Sequence, residues 1–353
     1  MRKRLVIDGI IFSLQQTGGI SVYFRELLSR LAKSDAEMQL LTFSDGARGR
    51  ANSPCRNVNV SPRLGERYRD CPLPEQCEIF HSSYYRLPSS RKAAIVTTVH
   101  DFTYERFVNG PRRWIHSLQK FRAIRSSHAV ICISENTKRD LFEFLPDIEP
   151  ERVHVIHNGV CENYFPLVDA HKTIEPPTPY ALFVGARGGY KNFGAAIDAV
   201  GSIPGLSLVC VGGGHLSASE RQSVDKRLRG KFVHRMHVSD SILNSLYNKA
   251  ACLIYPSSYE GFGIPVLEAM RAGCPVVALN ASSIPEVAGD AAILVDNADP
   301  LLLGEAIEST LVPERRKEIR AKGFARAAEF SWDRTYNNTC RVYESVLGVA
   351  LTS

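Results

Sequence analysis

Three features of the sequence predict an α/β protein of two doubly wound, parallel-sheet domains. Apolar, strand-like runs alternate with amphipathic helical stretches through both halves, the chain has 353 residues, and a stretch with four prolines, PLVDAHKTIEPPTP (166–179), divides the halves. Strand then helix, repeated, implies parallel sheets with right-handed crossovers. A chain of this length also exceeds what one hydrophobic core serves. The expected division is a first domain over 1–165, a linker over 166–179, a second domain over 180–330, and a last helix over 331–353 that packs back on the first domain. In such sheets ligands bind outside the carboxyl ends of the strands, so residues there are the first functional candidates.

Composition narrows the class. A hydrophobic fraction of 44% and a charged fraction of 23% are those of a folded globular protein. Lys and Arg number 43 against 37 Asp and Glu, a net charge of +6. That bias suits a phosphate-bearing substrate or an anionic membrane surface and is too small for a nucleic-acid binder. The nine cysteines form no CxxC pair or zinc spacing, and Cys132, Cys210 and Cys252 sit in apolar runs. Buried free thiols in a reducing cytoplasm are expected. MRKRLVIDG has charge without a long apolar core behind it, and no run reaches about 18 apolar residues, so neither a signal peptide nor a membrane span is expected.

Taken in order, RLVIDGIIF (4–12) reads as the first strand and Gly18-Gly19 as a loop, after which Ser21 caps a helix with apolar Val22, Leu27, Leu28 and Leu31. Strand, Gly-Gly loop and helix start bring backbone N–H groups toward a diphosphate, or simply make a tight turn. MQLLTFS (38–44) is a second strand, and the polar stretch to about Leu73 reads as loop. EIFHSSYYRLP and AIVTTVHDFTYERF follow as strands, with His100 and Asp101 at a carboxyl end. There a histidine either donates or accepts a proton at a reaction centre or caps the strand end. PRRWIHSLQKFRAIRSSH is helical, with apolar Trp114, Ile115, Leu118 and Phe121 near Ile124 and basic Arg112, Arg113, Lys120, Arg122 and Arg125. It either rests on an anionic membrane or packs on the core with a solvated basic face. AVICIS, a helix from Ser134, and RVHVIHNGV (152–160) complete the half.

The second half opens with YALFVGA (180–186), followed by Arg187 and Lys191 four residues apart at a strand-to-helix junction. A guanidinium fork and an ammonium there suit two phosphates, with solvated charge as the alternative. LSLVCVGGG (206–214) ends in a glycine-rich turn, and His237-Val238-Ser239-Asp240 starts a helix. The richest stretch is PSSYEGFGIPVLEAMRAGCPVVALNASSIPEVAGD (256–290), behind the apolar run 251–255. It reads as strand, turn and a helix from about Pro265 to Ala272, placing Glu260 in the loop and Glu268 one to two turns into the helix. The helix dipole favours an anion near Gly261-Phe262-Gly263; a βα turn with solvated glutamates is the plainer alternative. A strand CPVVALN, helices near 300–311 and 313–329, and a final helix from Ser331-Trp332 close the chain.

VGARGGYKNF, HVSDSILNSLYNKA, YPSSYEGFGIPVLEAMRAGCPVV and SSIPEVAGDAA, in that order, closely resemble the carboxyl half of retaining GT-B-fold glycosyltransferases (family 4-like, group 1). IDG, GGISVYFRELLSRL, TVHD, ISENTKRDL and VIHNGV match the amino half, so the resemblance covers nearly the whole chain. It implies two Rossmann-like domains facing each other across a cleft. It assigns Glu260 to donor-sugar hydroxyls, Glu268 to the nucleotide ribose, Arg187 and Lys191 to the leaving diphosphate, and Gly18-Gly19 to the approach from the other domain. His100 would assist at the sugar, and the backbone from Gly261 through Phe262, Gly263 and Ile264 would meet sugar and phosphate oxygens. Asp101, Tyr190 and Val238 are further candidates.

In that family cations and helix N-termini replace a metal, and no Asp-x-Asp motif is present. No metal or cofactor is therefore expected, the nucleotide sugar being substrate. GARGGYKNF together with IDG and GGISVYFREL looks most like bacterial O-antigen mannosyltransferases. GDP-mannose is then the favoured donor and a lipid-linked or polysaccharide glycan the acceptor, although other members use other GDP- or UDP-sugars. A cytoplasmic protein, peripheral on the inner face of the plasma membrane, is expected. An epimerase on the same scaffold and a non-catalytic binder are the alternatives; the EGFGIPVLE string counts against the first, and the presence of Glu260, Arg187 and Lys191 against the second.

Overall fold

The computed structural model describes residues 4–15, 18–34, 37–43, 56–74, 76–168 and 179–348. Most of the proline-rich stretch, 169–178, lies outside the described residues, as do 44–55. Two compact units emerge: Met1–Gly159 with Trp332–Ser353, and Val160–Ser331.

The first unit holds a seven-stranded parallel sheet of β1 (Arg4–Asp8), β2 (Glu37–Thr42), β3 (Arg56–Asn59), β4 (Ile79–Ser82), β5 (Ala94–Val99), β6 (Ala129–Cys132) and β7 (Val153–Val155). Their order is β3-β2-β1-β4-β5-β6-β7. The second unit holds β8 (Tyr180–Val184), β9 (Ser207–Val211), β10 (Phe232–Arg235), β11 (Cys252–Tyr255), β12 (Val276–Leu279) and β13 (Ile293–Val295), ordered β10-β9-β8-β11-β12-β13. Central runs such as Leu5-Val6-Ile7 and Leu253-Ile254 are wholly apolar because both faces of these sheets are covered. Each order reverses once, at β1/β4 and at β8/β11, and those are the switch points where doubly wound sheets take ligands.

Helices α1 (Ile10–Leu14), α2 (Gly19–Leu31), α3 (Thr103–Phe107), α4 (Pro111–Ser126) and α5 (Glu135–Phe144) belong to the first unit. The second has α6 (Phe193–Ser202), α7 (Ala218–Leu228), α8 (Asp240–Lys249), α9 (Ile264–Ala272), α10 (Ile284–Ala288), α11 (Pro300–Leu311) and α12 (Pro313–Ala328). The last helix, α13 (Trp332–Leu347), returns to the first unit. There the Tyr343 hydroxyl lies 2.6 Å from Nδ1 of His81 on β4, and the Thr335 hydroxyl donates to the His157 carbonyl at 2.7 Å.

Local expectations shift in three places. The first strand stops at Asp8, whose Oδ1 accepts the Ile10 N–H at 3.2 Å and turns the chain into α1. The turn needs Gly9, where a Cβ would lie 2.4 Å from the Leu41 carbonyl oxygen. The polar stretch before Leu73, expected as loop, contributes strand β3. Ser21 does not cap α2: the N-cap is Gly18, and the buried Ser21 hydroxyl instead donates 2.5 Å to the Gln15 carbonyl, folding the preceding loop onto the helix.

Candidate active site

Two loops meet at the β8/β11 switch point of the second unit, and backbone chemistry holds them together. Asn192, in left-handed conformation (φ 50°) before α6, donates through Nδ2 to the Pro256 carbonyl (2.8 Å) and the Ser258 hydroxyl (2.7 Å). The Ser258 N–H donates to the Tyr190 carbonyl at 2.8 Å. With the loops so joined, the Lys191 ammonium lies 2.5 Å from a Glu260 carboxylate oxygen and 5.1 Å from the centre of the Tyr190 ring. The two charged side chains are 14% and 12% exposed, enough for a ligand to reach either.

The Glu260 backbone is clasped from the turn that follows β12. Its N–H donates to the Ser282 hydroxyl (2.8 Å), and its carbonyl accepts from the hydroxyls of Ser282 (2.5 Å) and Ser283 (2.9 Å). Ser283 also donates to the Phe262 carbonyl at 3.0 Å. Ser282 adopts φ 57°, a left-handed conformation unusual for a residue with a Cβ, so this clasp stores some strain at the site. Phe262 anchors the loop in apolar surroundings against Phe330, ring centres 5.8 Å apart. Gly263 (φ 102°) then turns the chain so that α9 starts at Ile264 with its N-terminal end at the Gly261–Gly263 loop, where a helix dipole favours negative charge.

Glu268, on α9, accepts from the Tyr247 hydroxyl at 3.0 Å and from Tyr164 as well. Burial raises its pKa to about 7, with the two tyrosine hydroxyls pulling the other way. Arg187 takes a different course from Lys191. Its Nε donates to Glu220 (2.9 Å), Nη1 to the Gly212 carbonyl (2.9 Å), and Nη2 to the carbonyls of Gly214 (3.1 Å) and His215 (2.8 Å). The guanidinium is buried and closes the glycine turn after β9. The two cations that the sequence places side by side are thus divided, one on Glu260 and one on the turn. Val238 stands half-buried, one residue before the Ser239 cap of α8.

At the strand ends of the first unit, Gly18 and Gly19 form the start of α2, and His100 follows β5. The imidazole is buried against Tyr23, ring centres 5.2 Å apart, and its Nε2 has no hydrogen-bond partner among the described residues. Burial lowers its pKa to about 4, so the ring is neutral at pH 7. Asp101 is engaged locally: Oδ1 accepts the Thr103 N–H at 2.9 Å, and the backbone carbonyl accepts from Lys120 at 2.9 Å. No group of three or more potential metal ligands exists among the described residues.

Two family models match successive stretches of the chain: "Glycosyltransferase Family 4" over residues 17–163 and "Glycosyl transferases group 1" over 168–326. The chain belongs to the group 1, family 4-type glycosyltransferases. This glycosyltransferase is 28% identical over 285 residues to the "O-antigen chain mannosyltransferase B" of Escherichia coli, covering 75% of this chain and 74% of that one. In fold it is similar to a sucrose-phosphate synthase from Thermosynechococcus elongatus, with a TM-score of 0.80 at 18% identity over 98% of this chain and all of the other. It is also similar to Anabaena HepE, solved in complex with UDP-glucose, with a TM-score of 0.74 at 15% identity over 99% of this chain and all of that one. The GT-B fold expected from sequence is the fold observed.

Several residues of this glycosyltransferase's site gave no separate signal in the sequence. Ser282 and Ser283 stood inside the SSIPEVAGDAA motif, and their place after strand β12 was the clue to their aim. Tyr164 and Tyr247 left none, because they reach Glu268 from 104 and 21 residues away.

Proposed function

We propose that this glycosyltransferase transfers mannose from GDP-mannose, with retention of anomeric configuration and without a divalent metal, to a lipid-linked or polysaccharide acceptor in cell-surface glycan synthesis at the cytoplasmic face of the membrane. The observation that carries the reading is the Lys191–Glu260 pair at the β8/β11 switch point. An incoming diphosphate would take the ammonium, and the carboxylate so released would accept hydrogen bonds from sugar hydroxyls. As the sugar–phosphate bond breaks, negative charge develops on the leaving diphosphate. Lys191 and the N-terminal end of α9 would stabilise it. Glu268 would accept the ribose hydroxyls, and in the first unit neutral His100 would offer a sugar hydroxyl its Nε2, which has no partner among the described residues.

Arg187 acts in this reading through the Gly212–His215 turn, shaping the surface on which the nucleotide rests, and Lys191 carries the charge. Mannose is favoured by the Escherichia coli mannosyltransferase relative, while the UDP-glucose complex of HepE supports the second reading, a UDP-sugar donor. Thermal unfolding with GDP, GDP-mannose, UDP and UDP-glucose separates the two, since a ligand that binds the folded state raises its midpoint. GDP and GDP-mannose should stabilise most. Stabilisation by the uridine pair alone would remove the mannose reading, and an inverted anomeric centre in the product, seen by NMR, would remove retention.

A further inference from the structure

Helix α4 carries apolar residues on its outward face as well as its inward one. Its inward face is mixed: Ala123 and Ile124 are fully buried, Lys120 is wholly buried with its ammonium 2.6 Å from Glu105 and 4.5 Å from the Phe102 ring centre, and buried His116 stacks on Tyr104 at 3.9 Å. Its outward face is apolar: Trp114 is 77% exposed, Leu118 72% and Ile115 51%. At helical spacing these three occupy an arc of about 100°. Beside them sits the turn 64–70, tied to α4 by Gln119 Nε2 donating 2.7 Å to the Arg67 carbonyl and by a two-bond Arg122–Asp70 pair at 2.9 Å. That turn adds Leu64, 94% exposed, and Tyr68, 54% exposed. Lys120, expected on the basic outer face, is therefore no part of the surface, and the apolar stripe is.

We propose that this face of the first unit docks on an anionic phospholipid surface, with Trp114, Ile115 and Leu118 entering the headgroup boundary. The proposal rests on the reading above only in that a lipid-linked acceptor would bring the protein there. Large exposed apolar patches mark interaction sites, and a helix with aromatic and aliphatic residues outward beside basic ones lies in a membrane interface. Charge selects the occupant. Segments 62–70 and 103–126 contain nine Lys and Arg against three Asp and Glu. The acids are taken up in pairs, Glu66 with Arg63 and Arg86, Asp70 with Arg122, Glu105 with Lys120. Among the described residues no ion pair engages Arg67, Arg69, Arg112 or Arg113. A second copy of the chain would bring these like charges together, whereas anionic lipid neutralises them. No helix among the described residues is long and apolar enough to cross a membrane, so the contact is a surface one.

The chain's two tryptophans make the test direct, because Trp332 is buried and Trp114 is the exposed one. In a Trp332→Phe background, vesicles containing phosphatidylglycerol should shift Trp114 emission to the blue, and brominated lipid should quench it. Pure phosphatidylcholine vesicles should do neither. Trp114→Ser with Leu118→Ser, and separately Arg112→Glu with Arg113→Glu, should each lower co-sedimentation with the anionic vesicles by about tenfold, with unchanged thermal unfolding as the control for folding. Equal binding to both vesicle types, no binding to either, or self-association that the Trp114→Ser/Leu118→Ser variant dissolves would each overturn the proposal. Vesicle binding needs no donor, so a failed nucleotide screen would remove the donor reading and leave this result standing.

Discussion

The switch points of the two sheets carry charge in opposite ways. At β8/β11 the ions lie in loops: Lys191 and Glu260 pair at 2.5 Å and remain partly exposed, and hydrogen bonds to the backbone fix where they stand. At β1/β4 the ions lie inside. Arg86 is fully buried, with Nη1 3.1 Å from Asp8, Nη2 2.5 Å from Glu66, and Nε donating 2.9 Å to the Arg69 carbonyl. Burial raises the pKa of Asp8 to about 6, against the pull of Arg86. An ion pair open to solvent can exchange its partner for a ligand, whereas a buried one holds strand ends in register and cannot be opened cheaply. On the proposed reading the first arrangement serves binding, while the second serves the fold.

That contrast breaks if the wrong pair proves structural. The largest effect expected is from Arg86→Leu, which leaves Asp8 and Glu66 buried without their cation and should cost about 3–5 kcal/mol in urea unfolding. A loss under about 1 kcal/mol would make the network dispensable. Lys191→Ala should instead lower kcat/KM by about 10²–10³, with an unfolding midpoint close to that of the parent. If it unfolds as readily as Arg86→Leu, the two switch points do not differ in kind. Arg187→Lys is the sharper probe. If charge on the diphosphate were its task, lysine would retain most activity. The bonds to Glu220, Gly212, Gly214 and His215 need a planar fork, so donor KM should rise about tenfold, nearly as much as in Arg187→Ala, while a Lys variant at parental KM would return Arg187 to the phosphates.

The sheets were legible because their strands are buried on both faces and read as unbroken apolar runs, Ala129–Cys132 and Val276–Leu279 among them. Glu260, Lys191 and Glu268 were legible as candidates because the strand-loop-helix grammar puts them at strand ends. What the sequence withheld is long-range pairing. Arg86 meets Asp8 from 78 residues away, and Arg187 meets the Gly212 turn from 25 away, so nothing local distinguished one arginine from a ligand-binding one. Periodicity likewise revealed the apolar stripe of α4 without showing which side is covered. Glu105, 15 residues before Lys120, decides that, by giving the lysine a buried counter-ion.

The smallest effect expected concerns Glu268, and its sign follows from what surrounds it. Tyr247 on α8 and Tyr164 give it hydrogen bonds that favour the carboxylate, while burial and the charge of Asp240, first residue of α8, favour the acid. With a pKa near 7 instead of the usual 4.5, the folded protein holds this proton after the unfolded chain has released its own. Stability from this group therefore falls as pH rises from about 4.5 to about 7 and levels off above. Ligand affinity runs the other way, because ribose hydroxyls donate to a carboxylate. Calorimetric affinity for the nucleoside diphosphate should climb between pH 6 and 8, and Glu268→Gln should flatten that rise. Tyr247→Phe removes one bond to the carboxylate, at a cost of about 1 kcal/mol, and should move the midpoint of the rise to higher pH. A midpoint unmoved by Tyr247→Phe would mean that the tyrosine merely packs beside Glu268 and does not set its charge.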